Sequence, residues 1–192
     1  MQVDVIICTY NRAGKLAAAV QSVLGARLAP EHALRVIVVD NNSNDATASV
    51  LHELEQRFPS RLLRVLETRQ GKSHALNAGL LHAEAELVAF TDDDIAADRC
   101  WVAGMIEALQ RNPDCSCFGG KTVALYPEHL PAWLDLDGSM GFLRSVFVDR
   151  FDGETEMEYG KGTVARTPAG VNMFFRRETL LKNGPFRTDL GP

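Results

Sequence analysis

The chain has 192 residues, 46% of them hydrophobic and 23% charged, with 20 basic against 25 acidic side chains and a formal charge of −5. This composition excludes a disordered or fibrous chain and suits one domain with a sizeable core. Mild acidity argues against a general nucleic-acid binder, and no apolar run reaches the ~20 residues of a membrane span.

The pattern along the chain is strand, turn, helix, repeated. Residues 3–8 (VDVIIC) are a β-branched run. Asp4 interrupts the apolar stretch and no basic segment precedes it, which reads as a strand rather than a secretory leader. A polar turn, 9–14, leads into a helix with Leu16, Val20, Val23 and Leu24 on one face. Residues 34–39 (LRVIVV) are apolar nearly throughout, as expected of a parallel strand covered on both faces. The turn 40–45 follows, with Asn44 or Asp45 as the expected N-cap of a helix that Pro59 ends. Residues 62–66 form a third strand, 71–82 a helix opened by Gly71, and 86–91 a fourth strand running into Asp92-Asp93-Asp94. A helix is expected at 98–111 and a further strand at 115–125. Beyond residue 126 prolines and glycines break the periodicity, until a strand at 171–175 and a short helix at 178–182. The cysteines, Cys8, Cys100, Cys115 and Cys117, match no zinc spacing. They are expected to be reduced and mostly buried in a cytosolic chain.

Alternating strands and helices imply an α/β domain with a largely parallel sheet, whose right-handed crossovers bring the strand C-termini to one edge. Ligands bind outside that edge. Three polar clusters arrive there: Thr9-Tyr10-Asn11-Arg12, Asp40-Asn41-Asn42 and Asp92-Asp93-Asp94. In an extended segment residues i and i+2 share a side, so Asp92 and Asp94 face one point and Asp93 the other way. Alone, such a run reads as a solvated acidic turn. At the end of a buried strand, beside two other polar clusters, it reads as a site for a hard divalent cation, Mn²⁺ or Mg²⁺, shared with substrate phosphates. Asp40 is placed to accept from a nucleobase or ribose, and otherwise caps its turn. Arg12, Lys72 and, further off, Arg69 offer positive charge for a diphosphate, Lys72 at a helix N-terminus.

The runs VIICTYNR, VIVVDNNSNDAT, GKSHALNAGL and AFTDDDI, in this order and spacing, resemble the inverting glycosyltransferases of family 2. The later segment PAGVNMFFRRETLLKNGPFRTDLG resembles the stretch before that family's catalytic acidic motif. The resemblance implies a GT-A fold: a Rossmann-like three-layer α/β/α domain with a DxD metal motif. It further implies one domain over 1–192, with a nucleotide-binding half at 1–125 and an acceptor-side half at 126–192. By position, Thr9, Tyr10, Arg12, Asp40, Asn42, Lys72 and Asp92 would contact the nucleotide, Asp40 reading a base that is often uracil. Asp92 and Asp94 would hold the metal. Asp93, Trp101, Gly170 and Asn172 would border the sugar or acceptor, with core packing the equal alternative for Trp101.

The implied reaction moves a sugar from a nucleotide-diphosphate donor, UDP-linked by resemblance, to a hydroxyl of a glycan, lipid-linked or other acceptor. The resemblance also implies polysaccharide-type biosynthesis in the cytoplasm, extending to peripheral association with the inner face of a membrane, and no nucleic-acid partner. One departure stands out. No Glu-Asp pair follows residue 126, and Asp189 lies in the segment before the expected motif. The general base is therefore expected beyond Pro192, in a longer enzyme. A nicotinamide oxidoreductase would need G-x-G-x-x-G where this chain has TYNRAG, and a phospho-acceptor receiver would need acidic residues where it has Thr9-Tyr10. A non-catalytic nucleotide-sugar binding module remains the alternative.

Overall fold

A computed structural model of the chain describes residues 1–126, 128–145 and 168–190. Much of the acceptor-side half expected over 126–192 therefore lies outside the described residues. The elements in order are β1 (Gln2–Thr9), α1 (Ala13–Leu24), β2 (Ala33–Asp40), α2 (Thr47–Arg57), β3 (Leu62–Leu66), α3 (Lys72–Leu81), β4 (Leu87–Thr91), α4 (Trp101–Arg111), β5 (Cys117–Gly119), a short 3-10 turn at Gly141–Ser145, β6 (Met173–Arg176) and α5 (Arg177–Asn183).

The strands form one sheet in the order β3-β2-β1-β4-β6-β5. The first four are mutually parallel, and β6 runs antiparallel between β4 and β5. The parallel strands are Val/Ile/Leu-rich because both their faces are covered. Val3, Val5, Ile7, Val36 and Val38 pack with the apolar sides of α1, α2 and α4. Ile6, Ile37, Val39, Val88 and Phe90 pack with α3 and α5. The domain thus has the largely parallel sheet that the alternation implied, within the three-layer α/β/α, GT-A-type arrangement that the resemblance implied.

Helix α3 lies on the sheet through small residues, with only Ala75 and Gly79 fully buried. A methyl at Gly79 would stand 2.7 Å from Ile6 Cγ2 and 3.0 Å from Val39 Cγ2. Glycine there sets how closely the helix, and Lys72 at its start, approaches the sheet.

Several expectations need correction. The strand expected at 115–125 spans only Cys117–Gly119. Its ladder with β6 ends where Gly119 stands opposite Met173, the first residue of β6; beyond it the ladder gives way to the Gly120 amide bond to the Asn172 carbonyl and an isolated bridge at Thr122. Helix α4 starts at Trp101 rather than residue 98; Asp98 accepts from the Cys100 amide, forming a local turn instead. The N-cap of α2 is Ala46, without a side-chain cap bond. Asp45 acts one residue further out, accepting from the Thr47 amide and hydroxyl and from the Ala13 amide of α1. The cysteines are free, but they are not mostly buried: Cys100 and Cys117 are exposed and Cys8 and Cys115 half-buried. Burial nevertheless pushes the Cys8 thiol up to about 12, which keeps it protonated and unreactive.

Candidate functional site

Parallel register carries the ends of the strands to one edge. Thr9 is the ladder partner of Asp40, and Asp40 that of Leu66. β4 ends beside them, with Ile7 opposite Thr91. The antiparallel β6 starts at the same edge, since Met173 pairs with Phe90 and the Val171 carbonyl accepts from the Thr91 hydroxyl at 2.8 Å. The three polar clusters of the sequence therefore converge, and residues 170–172 join them.

The β1–α1 and β2–α2 loops are laced together. The Asn11 amide donates to Ser43 Oγ at 2.9 Å, and the Asn44 amide to Asn11 Oδ1 at 2.8 Å. Asn11 and Asn42 take left-handed backbone conformations (φ 51° and 66°) that asparagine tolerates better than most residues. Asp40 is 5% exposed, and its Oδ1 accepts from the Ser43 amide at 2.9 Å. Among the described residues Asp40 Oδ2 takes no hydrogen bond, which leaves it to meet a donor group. Tyr10, Arg12 and Asn42 are exposed along the same rim.

The acidic run divides in two. Asp93 is 8% exposed and turns inward, accepting from the Thr9 hydroxyl at 2.6 Å. Burial raises its pKa, with Asp94 and Asp92 adding to the effect and Thr9 and Arg12 opposing it. Asp92 and Asp94 turn outward. Lys72 Nζ stands 2.5 Å from Asp92 Oδ1, while Arg12 Nη1 and Lys15 Nζ each stand 3.6 Å from Asp94 Oδ2. Thr9, at 2% exposure, sits beneath the rim. Asp92 and Asp94 are two partly exposed carboxylates, hard oxygen donors of the type and number that commonly hold a divalent cation together with phosphate oxygens. That suits a divalent cation shared with a bound diphosphate.

Two features were not visible from the sequence. Asn41, 4% exposed, donates to the carbonyls of Glu67 and Arg69 at 3.0 and 2.7 Å and accepts from the Gly71 amide at 2.9 Å. It ties the end of β2 to the loop that starts α3, and so positions Lys72. Glu67 holds Arg69 in a bidentate pair at 2.8 and 3.0 Å, and that guanidinium brings Glu67 down to about 2. The Arg69 expected as a diphosphate ligand is thus engaged by its own loop. A polar residue two positions from an arginine, at the end of a strand, is the only sequence signal of this.

Of the residues expected at the sugar or acceptor, Trp101 and Asn172 meet at the far side of the edge, whereas Asp93 is withdrawn from it, buried against the Thr9 hydroxyl. Trp101 Nε1 donates to Asn172 Oδ1 at 2.9 Å, and Asn172 Nδ2 donates to the Lys121 carbonyl at 3.0 Å. They line a cleft of about 290 Å³ with Gly104, Gly120 and Phe174. Asn172 is 7% exposed and acts there as a brace, whereas Gly170 is exposed. Asp189 gives both oxygens to Arg187, at 3.0 and 2.5 Å, and that pairing lowers its pKa, which makes it a weak base. A larger hollow of about 640 Å³ lies at the opposite edge of the sheet, around Asp4, His32 and Arg35, away from the polar clusters.

Residues 4–180 match the sequence profile of glycosyl transferase family 2. The chain belongs to that family. Among its relatives, a glucosyl-dolichyl phosphate glucuronosyltransferase of Haloferax volcanii is 28% identical over 203 aligned positions, covering 100% of this chain and 58% of the relative. The glycosyltransferase AglE of the same organism is 25% identical over 98% of this chain and 57% of its own. In structure, a mannosyltransferase of Pyrobaculum calidifontis, solved with GDP-Man and Mn²⁺, aligns over 98% of this chain and 48% of that one, with TM-score 0.67 and 26% identity. The chain thus spans less than three fifths of the length of these relatives. Among the described residues no helix is long and apolar enough to cross a membrane.

Proposed function

We propose that this chain binds a nucleotide-diphosphate sugar at the strand C-terminal edge and serves its transfer, with inversion, to an acceptor hydroxyl. The observation that carries this reading is the convergence of Asp40, Arg12, Lys72 and the outward pair Asp92 and Asp94 along one rim. Residues 1–125 supply the nucleotide-binding half, and 126–192 belong to the acceptor side. Asp40 Oδ2 accepts from a base N–H, with uracil the first candidate. Tyr10 and Asn42 line the nucleoside, and Thr9 fixes the floor. Arg12 and Lys72 take the diphosphate. The cleft at Trp101 and Asn172 faces the sugar or acceptor, with Gly170 exposed two residues before Asn172, and a glycan or lipid-linked hydroxyl at a cytoplasmic membrane face is the acceptor class.

Asp92 and Asp94 would hold a divalent cation, Mn²⁺ or Mg²⁺; when bound, such an ion stabilises negative charge on the leaving diphosphate. The chain's own cations, Arg12 and Lys72, contribute the same electrostatic assistance from fixed positions. The acceptor hydroxyl attacks the anomeric carbon opposite the leaving group, which inverts configuration, and a general base removes its proton. Among the described residues Asp189 is poorly suited to that task.

Calorimetric titration with UDP-sugars and GDP-sugars tests the reading. Binding is expected with Mn²⁺ or Mg²⁺ present and is expected to weaken sharply with EDTA and in Asp94→Asn. Equal affinity with and without the metal overturns its role; absence of binding by every nucleotide sugar overturns the assignment of the site.

A further inference from the structure

The outward carboxylates are already paired with cations. Asp92 faces Lys72, and Asp94 faces both Arg12 and Lys15, through the same oxygen at 3.6 Å. Lys15 lies in the first turn of α1, on the exposed rim with Arg12, and its side chain is 60% exposed. With Asp93 beneath them, the three carboxylates of the run stand against three cations, so this part of the rim is close to balanced before any ligand arrives.

Such partly exposed pairs are weak, each worth about 0–1 kcal/mol. They hold the carboxylates in place yet yield easily to a stronger ligand. A divalent cation arriving alone would displace the ammonium and guanidinium groups from Asp92 and Asp94 and leave those cations without partners beside it. A diphosphate arriving alone would compete with Asp92 and Asp94 for the same lysines and arginine. When both arrive, every charge has a partner: the carboxylates face the metal, and the freed ammonium and guanidinium groups face the phosphates.

We propose that Arg12, Lys15 and Lys72 act as place-holding cations, so that metal and donor diphosphate bind cooperatively through an exchange of ion-pair partners, with Lys15 the positioning residue that guards Asp94. This rests on the reading of the rim as a metal-dependent nucleotide site and adds to it a residue and a coupling between the two ligands. Coupling of this kind is reciprocal, since each ligand raises the affinity of the other by one common factor.

The test measures Mn²⁺ binding to the intact chain by calorimetry, alone and with saturating UDP or GDP, for the wild type, Lys15→Gln, Lys15→Arg and Arg27→Gln. Arg27 is exposed beyond the far end of α1 and controls for a general loss of positive charge. The affinity of Mn²⁺ for free nucleotide is common to all four proteins, so it cancels between variants. In Lys15→Gln, Mn²⁺ alone is expected to bind about fivefold tighter, and the gain on adding nucleotide to shrink by a similar factor. Lys15→Arg and Arg27→Gln should match the wild type. Lys15→Gln matching Arg27→Gln in both measurements overturns the exchange. If neither nucleotide binds any variant, the nucleotide site itself is wrong, and the comparison with Mn²⁺ alone still decides whether Lys15 guards Asp94.

Discussion

The Thr9 hydroxyl donates to Asp93 Oδ2 at 2.6 Å, joining the end of β1 to the centre of the acidic run across 84 positions of sequence. This bond turns Asp93 inward and leaves Asp92 and Asp94 facing solvent. Thr9→Val should cost about 2 kcal/mol, because a buried carboxylate loses its hydroxyl donor, while Thr9→Ser should be near neutral. Denaturant unfolding measures both. Asp93 has a raised pKa, so its contribution is fully present below the ordinary carboxylate range and is lost as pH rises through its folded value. The Thr9→Val deficit should therefore be smaller at pH 4 than at pH 7.

Asn41 joins the β2 terminus to the loop ahead of α3 through three hydrogen bonds. Asn41→Ala strands two carbonyls and one amide in a nearly buried place. A loss of about 2–3 kcal/mol is expected, together with weaker nucleotide binding, because Lys72 loses its fixed position. Asn41→Ala that melts like the wild type and binds nucleotide equally would show that the loop holds itself.

Gly79→Ala gains helix propensity of about 1 kcal/mol but pushes a methyl into Ile6 and Val39, whose branched side chains have little room to turn. Overpacking of this kind costs about 1–3 kcal/mol, so a net loss of roughly 1 kcal/mol is expected in thermal unfolding, with α3 lifted from the sheet. A melting temperature at or above the wild-type value would refute the close approach.

Asp4 lies at the opposite edge, 1% exposed, where it receives Arg35 Nε at 2.8 Å and the amides of Glu84 and Ala85 at 2.7 and 2.9 Å. Burial alone would raise its pKa; Arg35 and the two amides more than offset this and lower it. Its stabilisation is then present above the ordinary Asp value and is lost as pH falls through the lowered one. Asp4→Asn should cost about 3 kcal/mol at pH 7 and flatten the acid limb of the stability curve. An unchanged acid limb in the variant would assign acid unfolding to other carboxylates.

What could be read in advance follows from what each signal depends on. Strands β1, β2 and β4 and helices α1 and α2 were legible because apolar spacing is a local property, and alternation implied the parallel sheet. The short reach of β5 was not, since a strand ends where its partner does, and β6 lies more than fifty residues further on. Arg69 illustrates the same limit at the level of a side chain. Glu67, two positions before it, is the one local hint, yet only the folded loop shows Glu67 turned back onto Arg69 while Lys72 faces Asp92. The resemblance sets Trp101 and Asn172 at one subsite, but only the antiparallel entry of β6 shows that they stand within a hydrogen bond of each other.

By itself, then, the sequence determined the layers of this domain and the edge at which its polar residues gather, because the hydrophobic period and the handedness of crossovers leave little choice. The i, i+2 alternation also set Asp92 and Asp94 to one side and Asp93 to the other; tertiary structure alone decided that the Asp93 side is the buried one and which cations stand against the outward pair. That choice depends on contacts between residues as far apart as Thr9 and Asp93 or Lys15 and Asp94, and contacts at such range leave no local trace in the chain.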